Sequence, residues 1–515
     1  MSRSPASAAS SMAHVLASPR ARPRAAADRL SIAPMMEWTT SHFRFLARLL
    51  TRRTLLYTEM FVDNTLLFSP HAAEMLRFHP AEHPVACQLG GCNPVTLARA
   101  AALAERAGYD EVNLNCGCPS AKVAGSGAFG ARLMFTPELV RDCVAAMRAA
   151  VTIPVTVKCR LGADDMDSYE AFAGFLDTVA QGGCEHFIVH ARKCLLKGLS
   201  PKDNRTIPPL RYDWVQRASL QFPHLRISLN GGVPDVPAAL RLLALRRGPK
   251  PEGGAEEAVG AGEGQGAGAG AGDEARSAVG GAAEDGSGDA AADGGADCRS
   301  CCDAGAGAEG APPATAPPAP PPWALYEGCH EPRLPPAPEA LCGDEGVLAS
   351  VMIGRAAYAN PWLLATADSS LWGQPDPGLT RRQVTTAYLD YCCELLREHA
   401  EAAAEPGAGG GAGAGAGADS GAGAEATATA RPLVGMLRPF EMAKPLLGLF
   451  HGCVGGGRFR ALLTVAIQGG DKGIGKRLGI REAVEAALEA VPAHVLDERP
   501  GALRELEGGE RGRGA

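Results

Sequence analysis

The chain has 515 residues, 64 of them glycine, and a formal net charge of −7. The length allows two or three ordinary domains. Sixteen cysteines lie scattered without a disulfide-like framework, which favours a reducing compartment. No apolar run reaches the length of a membrane-spanning helix. Composition therefore argues against a small disulfide-stabilised scaffold and against a helical membrane protein.

Two low-complexity tracts distort the charge balance. Residues 248–345 and 401–430 are dominated by Gly, Ala and Pro, with net charges of −14 and −4, so the rest of the chain carries +11. The tracts hold too few large apolar residues to offset the entropy of ordering, so both are expected to be disordered. A basic body suits a polyanion such as RNA, although a solvated basic surface explains the charge equally well.

The first 28 residues have the composition of an organelle transit peptide. They contain four arginines and many serines and alanines, and the first carboxylate is Asp28. A chloroplast or mitochondrial location is therefore expected, and composition does not separate the two. The alternatives are an extension without targeting function and a cytoplasmic protein.

Eight short apolar or β-branched runs recur along the chain, with helix-like segments between them. Near-continuous apolar character is typical of parallel strands covered on both faces. The alternation predicts an α/β fold, a (β/α)8 TIM barrel. The runs occupy residues 30–35, 55–61, 84–90, 111–117, 154–160, 186–192, 226–232 and 346–355.

The last gap between runs is far longer than an ordinary loop, and removing residues 248–345 restores ordinary spacing. The first tract is therefore an insert before strand eight. Helical patterns follow the barrel and predict a C-terminal all-helical domain. The expected organisation is a transit-like extension (1–28), a barrel (29–247 and 346–372), two disordered inserts (248–345 and 401–430), a helical domain (373–400 and 431–492) and a tail (493–515).

In a TIM barrel the working residues lie just past the carboxyl ends of the strands. Glycines 231, 232 and 354 stand where barrels commonly bind phosphate, and Arg355 adds charge there. Gln88 can donate and accept at a flavin edge, and Lys158 can stabilise a reduced flavin. Each residue alone has an ordinary structural explanation. Together they leave FMN as one candidate among several phosphate ligands.

Longer motifs carry a resemblance to a known family. The chain resembles the A-type tRNA-dihydrouridine synthases over roughly residues 30–247 and 346–372. The family's FMN-binding barrel, C-terminal helical RNA-binding domain and hydride donor NADPH (or NADH) are what this resemblance implies. The matching strings are SIAPMMEWT, LLYTEM, VACQLGG, GYDEVNLNCGCPS, FGARLM, IPVTVKCRLG, DSYEAF, FIVHARK, LKGLSPKDNRTIPPL, LNGG and MIGRAAYANPW.

Carried over by position, the resemblance implies roles for individual residues. Cys118 is the active-site acid, and tRNA is touched by Asn115, Lys202 and Arg205. No metal is implied. The residues implied to line FMN are Pro34, Met35, Met36, Gln88, Lys158, His190, Asn230, Gly231, Gly232, Gly354 and Arg355.

The implied reaction is reduction of the C5=C6 bond of D-loop uridines near position 20 of tRNA. It requires a hydride at one carbon and a proton at the other. A free thiol, whose ordinary pKa is about 8.5, is protonated at neutral pH and can supply that proton. The base must leave the tRNA stack to reach the barrel mouth.

Two cysteines compete for the acid role. Cys116 lies two residues before Cys118, and in an extended segment such residues point the same way. The family's cysteine directly precedes Pro-Ser, which selects Cys118 and leaves Cys116 for packing. A metal site or a disulfide is the alternative for the pair. Cysteines 298, 301 and 302 have CxxC spacing but lack two further ligands, so no zinc site is expected there.

Two other functions remain open from the sequence. A free-pyrimidine oxidoreductase related to dihydroorotate dehydrogenase would share the barrel and flavin, but it would not need Lys202, Arg205 and the helical domain. A non-catalytic tRNA-binding protein would not need Cys118. Reduction assays on uracil and on tRNA distinguish the free-pyrimidine enzyme from a tRNA-modifying enzyme. Flavin absorbance of the purified protein distinguishes a flavin enzyme from a non-catalytic tRNA-binding protein.

Overall fold

The structure is a computed structural model that describes residues 29–120, 129–244, 347–404, 437–468 and 479–501. All of the described residues belong to one compact unit, and none of them belongs to residues 251–329. The expectations for residues 1–28, for the insert 248–345, for residues 405–430 and for the CxxC cysteines therefore concern parts of the chain outside the described residues.

Eight parallel strands form a closed barrel in chain order, which confirms the predicted (β/α)8 fold. The barrel closes where Leu30 pairs with Val351 and Ile32 with Ile353. The strands are β1 (Leu30–Ile32), β2 (Leu55–Val62), β3 (Val85–Gly90), β4 (Glu111–Cys116), β5 (Val155–Arg160), β6 (His186–His190), β7 (Arg226–Asn230) and β8 (Ser350–Ile353).

Helices surround these strands. They are α1 (Ser41–Leu50), α2 (Asp63–Phe68), α3 (Ala72–Met75), α4 (Pro94–Arg106), α5 (Pro137–Ala150), α6 (Tyr169–Ala180), α7 (Tyr212–Gln221), α8 (Val236–Leu243), α9 (Arg355–Ala359) and α10 (Ala367–Trp372). Short 3-10 helices occupy Pro80–Glu82, Gly130–Phe135, Asp203–Arg205 and Pro361–Thr366.

Local sequence explains where the helices begin. Asn93 accepts hydrogen bonds from the backbone of Val95 and Thr96 at the start of α4, and Pro94 takes the first helical position. Asp235 caps α8 in the same way at 2.7 Å. Thr136 precedes α5, but its side chain makes no capping hydrogen bond.

The barrel interior contains an apolar layer below its mouth. Ile188 and Met352 are buried there with Tyr57, and Met35 packs against the cluster. These side chains make the barrel a filled core rather than a pore, as is usual for the fold. Ligands therefore approach from the carboxyl ends of the strands.

Further helices follow the barrel. They are α11 (Arg381–Ala404), α12 (Pro439–Ala443), α13 (Gly456–Gln468), α14 (Ile480–Leu488) and α15 (Ala493–Asp497), with a 3-10 helix at Lys444–Gly448. Tyr391 of α11 stacks on Phe45 of α1 with ring centroids 3.9 Å apart. Its hydroxyl lies 3.2 Å from Nδ1 of His42. Aromatic packing thus joins the C-terminal helices to the barrel.

Two helices extend beyond the boundaries expected from the sequence. Helix α11 continues to residue 404, four residues into the segment expected to be disordered from 401. The expected tail begins with α15, whose Val495 and Leu496 are buried. Arg381 and Arg382 of α11 pair with Glu498 and Asp497, so tertiary contacts order a segment with little helical signal of its own. Within the described residues, no helix is long and apolar enough to span a membrane.

Candidate active site at the barrel mouth

The strand register brings the candidate residues together at one end of the barrel. Asn115 of β4 lies opposite Lys158 of β5. His190 of β6 lies between Arg160 of β5 and Asn230 of β7. Because parallel strands end at the same edge, residues separated by more than a hundred positions in sequence share one rim.

Four cations surround the imidazole of His190. Burial lowers the pKa of His190 well below its usual value, and Arg160, Lys158, Arg192 and Arg205 lower it further. The imidazole is therefore neutral at physiological pH, and the mouth has a positive potential. Such a potential suits phosphate groups or a developing anion.

Lys158 lies at the centre of this positive field. Desolvation lowers its pKa from the usual 10.5 to about 8, and Arg160 adds to the effect. Among the described residues, no carboxylate pairs with its ammonium group. A buried cation without a counterion is costly, and it is typical of a site that binds an anionic ligand.

The glycines of the mouth have different structural roles. Gly231 has a φ of +109°, and a Cβ there would lie 2.5 Å from Cδ2 of His190. Gly232 has a φ of +69° and packs against Leu210 in the same way. A Cβ on Gly354 would meet nothing nearer than the Cβ of Ala33 at 3.9 Å, so the space in front of it is open. Of these three glycines, Gly354 alone has open space beside its backbone for a ligand.

The loop after β1 places its two methionines differently. Met35 is partly buried against the interior cluster, and the Thr39 hydroxyl closes the turn by bonding to both backbone groups of Met35. Met36 is 57% exposed. Pro34 is half-buried between the strand and this turn. Arg355 begins α9 directly after Gly354 and lies near Arg192.

Cys116 and Cys118 do not share surroundings. The strand ends at Cys116, so the rule that residues two apart point the same way does not extend to Cys118, and that expectation is wrong. Cys116 is fully buried near Cys159, Cys143 and Cys184, and burial raises its pKa well above the usual value. Cys118 is partly exposed, and its charge would influence the ionisation of Lys158 and Arg160. Both thiols are free.

Asn115 shapes the loop that carries Cys118. Its Oδ1 accepts hydrogen bonds from the backbone N–H groups of Gly117 and Cys118, both at 3.0 Å. Its Nδ2 donates to Oε1 of Gln88 at 2.8 Å. The residue implied to touch tRNA and the residue implied to line FMN are thus hydrogen-bonded to each other.

Lys202 and Arg205 are exposed on the loop before α7. Asn204 between them is fully buried and holds the loop through hydrogen bonds to both backbone groups of Leu195. Burial of Asn204 turns its two cationic neighbours outward. They lie beside the mouth, because Arg205 is one of the charges acting on His190.

Sequence reasoning gave Arg160 no role in the site, although it lies two residues after Lys158 on the same face of β5. Arg160 is 3% exposed and donates to three backbone carbonyls, those of Gly117 (2.9 Å), Lys193 (3.1 Å) and Asn204 (2.9 Å). Desolvation lowers its pKa to about 10. It joins the Cys118 loop to the Lys202–Arg205 loop. Period-two spacing from Lys158 was the available signal.

No group of three or more His, Cys, Asp or Glu side chains in the described ranges has an arrangement that could hold a metal ion. The mouth instead combines an unpaired lysine, a neutral histidine, an open glycine and a partly exposed thiol. In a closed parallel barrel, this set of groups suits a ligand that carries a phosphate group, such as a phosphorylated flavin.

Comparison with known proteins gives a family match over most of the barrel. Residues 31–246 match the family model described as dihydrouridine synthase. Three relatives are each called tRNA-dihydrouridine(20/20a) synthase. That of Xanthomonas campestris is 54% identical over 220 residues, 42% of this chain and 65% of the relative. That of Vibrio cholerae is 54% identical over 212 residues, which are 41% of this chain and 64% of the relative. That of Escherichia coli K12 is 53% identical over 212 residues, which are 41% of this chain and 61% of the relative.

The matched segment spans less than two thirds of these relatives' own length. It ends near α8, so it contains seven of the eight strands and every candidate residue except Gly354 and Arg355. The C-terminal helices lie outside it.

Proposed function

We propose that this protein is a flavin-dependent tRNA-dihydrouridine synthase, which reduces the C5=C6 bond of a D-loop uridine. The observation that carries the proposal is the position of Cys118, partly exposed in the barrel mouth near Lys158 and Arg160. The relatives' shared name supplies the reaction and points to positions 20 and 20a of tRNA.

The residues of the mouth fit a phosphorylated flavin. Lys158 lacks a carboxylate partner within the described ranges, and Gly354 leaves open space beside its backbone. We infer FMN, with its phosphate near Gly354 and Arg355 and its ring near Lys158 and Gln88. When bound and reduced by NADPH or NADH, the flavin would supply the hydride.

The chain's own residues supply the rest of the reaction. The Cys118 thiol donates its proton to the uracil carbon that does not receive the hydride, and solvent then returns a proton to sulfur. The positive charges of Lys158 and Arg160 stabilise the thiolate left after this transfer. His190 is neutral, so it can accept or donate one hydrogen bond without adding charge.

The tRNA is the proposed partner of the exposed Lys202 and Arg205 beside the mouth. Phosphate contacts by such side chains position the substrate without reading its sequence. The C-terminal helices α11 to α15 are the proposed second part of the tRNA surface. A flipped uridine would then reach Cys118 from the side of the Lys202 loop.

The decisive test is dihydrouridine formation on unmodified tRNA with purified protein, FMN and NADPH. Wild type should form dihydrouridine at D-loop positions mapped by primer extension. Cys118→Ala should lose at least about 100-fold in turnover, because it removes the general acid. Cys116→Ala is the matched control and should keep turnover within about twofold, since that thiol lies outside the mouth.

An inactive wild type that binds flavin would contradict the tRNA substrate, and uracil and related small pyrimidines would be tried next. A colourless protein that binds tRNA tightly would contradict the flavin enzyme altogether. Equal losses in Cys116→Ala and Cys118→Ala would contradict the assignment of the acid.

A further inference from the structure

A continuous line of hydrogen bonds crosses the barrel interior below the mouth. From the Asn115 amide it passes through the Gln88 amide (2.8 Å) to Asn113 (2.8 Å). It continues from Asn113 to the hydroxyl of Thr156 (2.8 Å) and ends on the carboxyl group of Glu111. Glu111, Asn113, Thr156 and Gln88 are each at most 1% exposed. The bonds therefore form away from competing water, where their orientation matters most.

The groups at the two ends of this line determine which atom donates and which atom accepts in every hydrogen bond between them, and both ends require the same arrangement. At the upper end, backbone N–H groups of Gly117 and Cys118 can only donate, so Oδ1 of Asn115 must face them. The Nδ2 of Asn115 then faces Gln88, which turns Nε2 of Gln88 toward Asn113.

At the lower end, Oε1 of Glu111 accepts from the hydroxyl of Thr156 and from that of Tyr57 at 2.7 Å. The Thr156 oxygen, having donated its proton, is left to accept from Nδ2 of Asn113. Oδ1 of Asn113 therefore faces Gln88. Both ends thus require the same amide orientations, so the line has a single consistent polarity.

We propose that Glu111, acting through Thr156 and Asn113, is a positioning residue for the Cys118 loop. It fixes the amide orientations of Gln88 and Asn115, and Asn115 in turn holds the backbone of Gly117 and Cys118. The thiol is thereby held in the mouth by a carboxyl group at the opposite end of the interior. The catalytic consequence rests on the proposed function, whereas the effect on the loop does not.

Thr156→Val tests the proposal because it is nearly isosteric and interrupts the line at one point. We expect the backbone amides of Gly117 and Cys118 to exchange with solvent roughly fivefold to tenfold faster, as when one ordinary hydrogen bond is lost. Hydrogen exchange on the flavin-free protein, resolved by NMR or mass spectrometry, measures this. Thr156→Ser keeps the hydroxyl and should restore the wild-type rates.

Tyr57→Phe is the matched control. It removes a hydrogen bond to the same oxygen of Glu111, but from a side chain that is not one of the groups between Glu111 and Asn115 in the line described above. It should leave exchange at Gly117 and Cys118 unchanged even if the melting temperature falls as much as in Thr156→Val. Equal acceleration in both variants would show general loosening of the barrel and would overturn the proposal.

Unchanged exchange in Thr156→Val would overturn it as well. If Thr156→Val does not fold, Asn113→Ser interrupts the line at the next residue and is measured with the same two outcomes. In the enzyme assay at saturating FMN and tRNA, Thr156→Val should lower kcat about tenfold, because misplacement of the acid affects the chemical step. An inactive wild type would contradict the proposed function while leaving the exchange result valid.

Discussion

The guanidinium of Arg160 donates from Nη1 to the carbonyl oxygen of Asn204 at 2.9 Å. Its Nε donates to the carbonyl of Gly117 at the same distance, so one buried cation holds the Cys118 loop and the Lys202–Arg205 loop in fixed relation. Within the part of the chain that the structure describes, its hydrogen-bond acceptors are neutral backbone carbonyls. The positive charge therefore remains available to the mouth instead of being cancelled by a carboxylate.

Arg160→Met should lower the free energy of unfolding by about 2 to 3 kcal/mol, because three backbone carbonyls, one of them fully buried, lose their donor. Urea denaturation measures this. Trypsin should also cut faster after Lys202 and Arg205, since their loop loses its link to β5. The control is Arg217→Met, which removes an arginine that is 61% exposed and should change stability by less than about 1 kcal/mol. Equal changes in unfolding free energy and in trypsin cleavage in the two variants would contradict the conclusion that Arg160 holds the two loops together.

Iodoacetamide should modify Cys118 and leave Cys116 unmodified in the native protein. Cys116 is fully buried, and its raised pKa keeps it in the unreactive thiol form. Peptide mass spectrometry after brief labelling distinguishes the two sites. Denaturation before labelling should make both reactive, which serves as the control. Native labelling of Cys116 would contradict the arrangement at the end of β4.

Lys158→Met should stabilise the flavin-free protein at pH 7 by about 3 kcal/mol. The pKa of Lys158 falls from 10.5 to about 8 on folding, so holding the charged form below pH 8 costs folding free energy. Between pH 8 and 10.5 the unfolded chain binds more protons than the folded one. Wild-type stability should therefore rise with pH relative to the variant, and the difference should vanish near pH 10.5.

Chemical denaturation at several pH values measures this difference, with Lys197→Met as an exposed-lysine control. The same Lys158→Met variant should bind FMN at least tenfold more weakly, measured by flavin fluorescence. A variant that is less stable than wild type at pH 7 would show that Lys158 has a compensating partner.

Lys202→Gln and Arg205→Gln should each weaken tRNA binding and reduce its dependence on salt. Each lost phosphate contact lowers the slope of log K against log salt by about 0.7 to 0.9. Fluorescence anisotropy with labelled tRNA at several salt concentrations measures both quantities. Arg217→Gln, on the outer face of α7, is the control for general loss of positive charge. An equal slope change in that control would contradict a specific contact by the loop.

Gly231→Ala should mainly reduce stability, whereas Gly354→Ala should mainly weaken FMN binding. Gly231 combines a φ of +109° with the close approach of His190, so alanine there should cost about 3 kcal/mol of stability. Gly354 has neither constraint, so alanine should leave the melting temperature nearly unchanged. It should still weaken FMN binding, because the new methyl group occupies the open space. Normal FMN binding by Gly354→Ala would remove it from the proposed phosphate site.

The sequence alone determined the strands, the barrel and most of the candidate mouth. Apolar runs of strand length, separated by capped helices, are local signals that do not depend on distant contacts, so β1 to β8 were predicted close to their observed bounds. The resemblance in the NCGCPS string selected Cys118 from sequence alone.

Tertiary structure decided the rest, because it depends on which residues meet across the barrel. The two-residue spacing of Cys116 and Cys118 predicts the same orientation for both side chains. Because β4 ends at Cys116, however, Cys116 is buried on the helix-facing side of the strand and Cys118 lies at the mouth. The roles of Arg160 and Asn204 are visible only in their contacts with residues of two separate loops, those after β4 and β6. Ion pairs of Arg381 with Glu498 and of Arg382 with Asp497 join α11 to the end of α15 across more than a hundred residues, which no local sequence pattern specifies. The line from Glu111 to Asn115 likewise required three adjacent strands in one register, which no single stretch of sequence specifies.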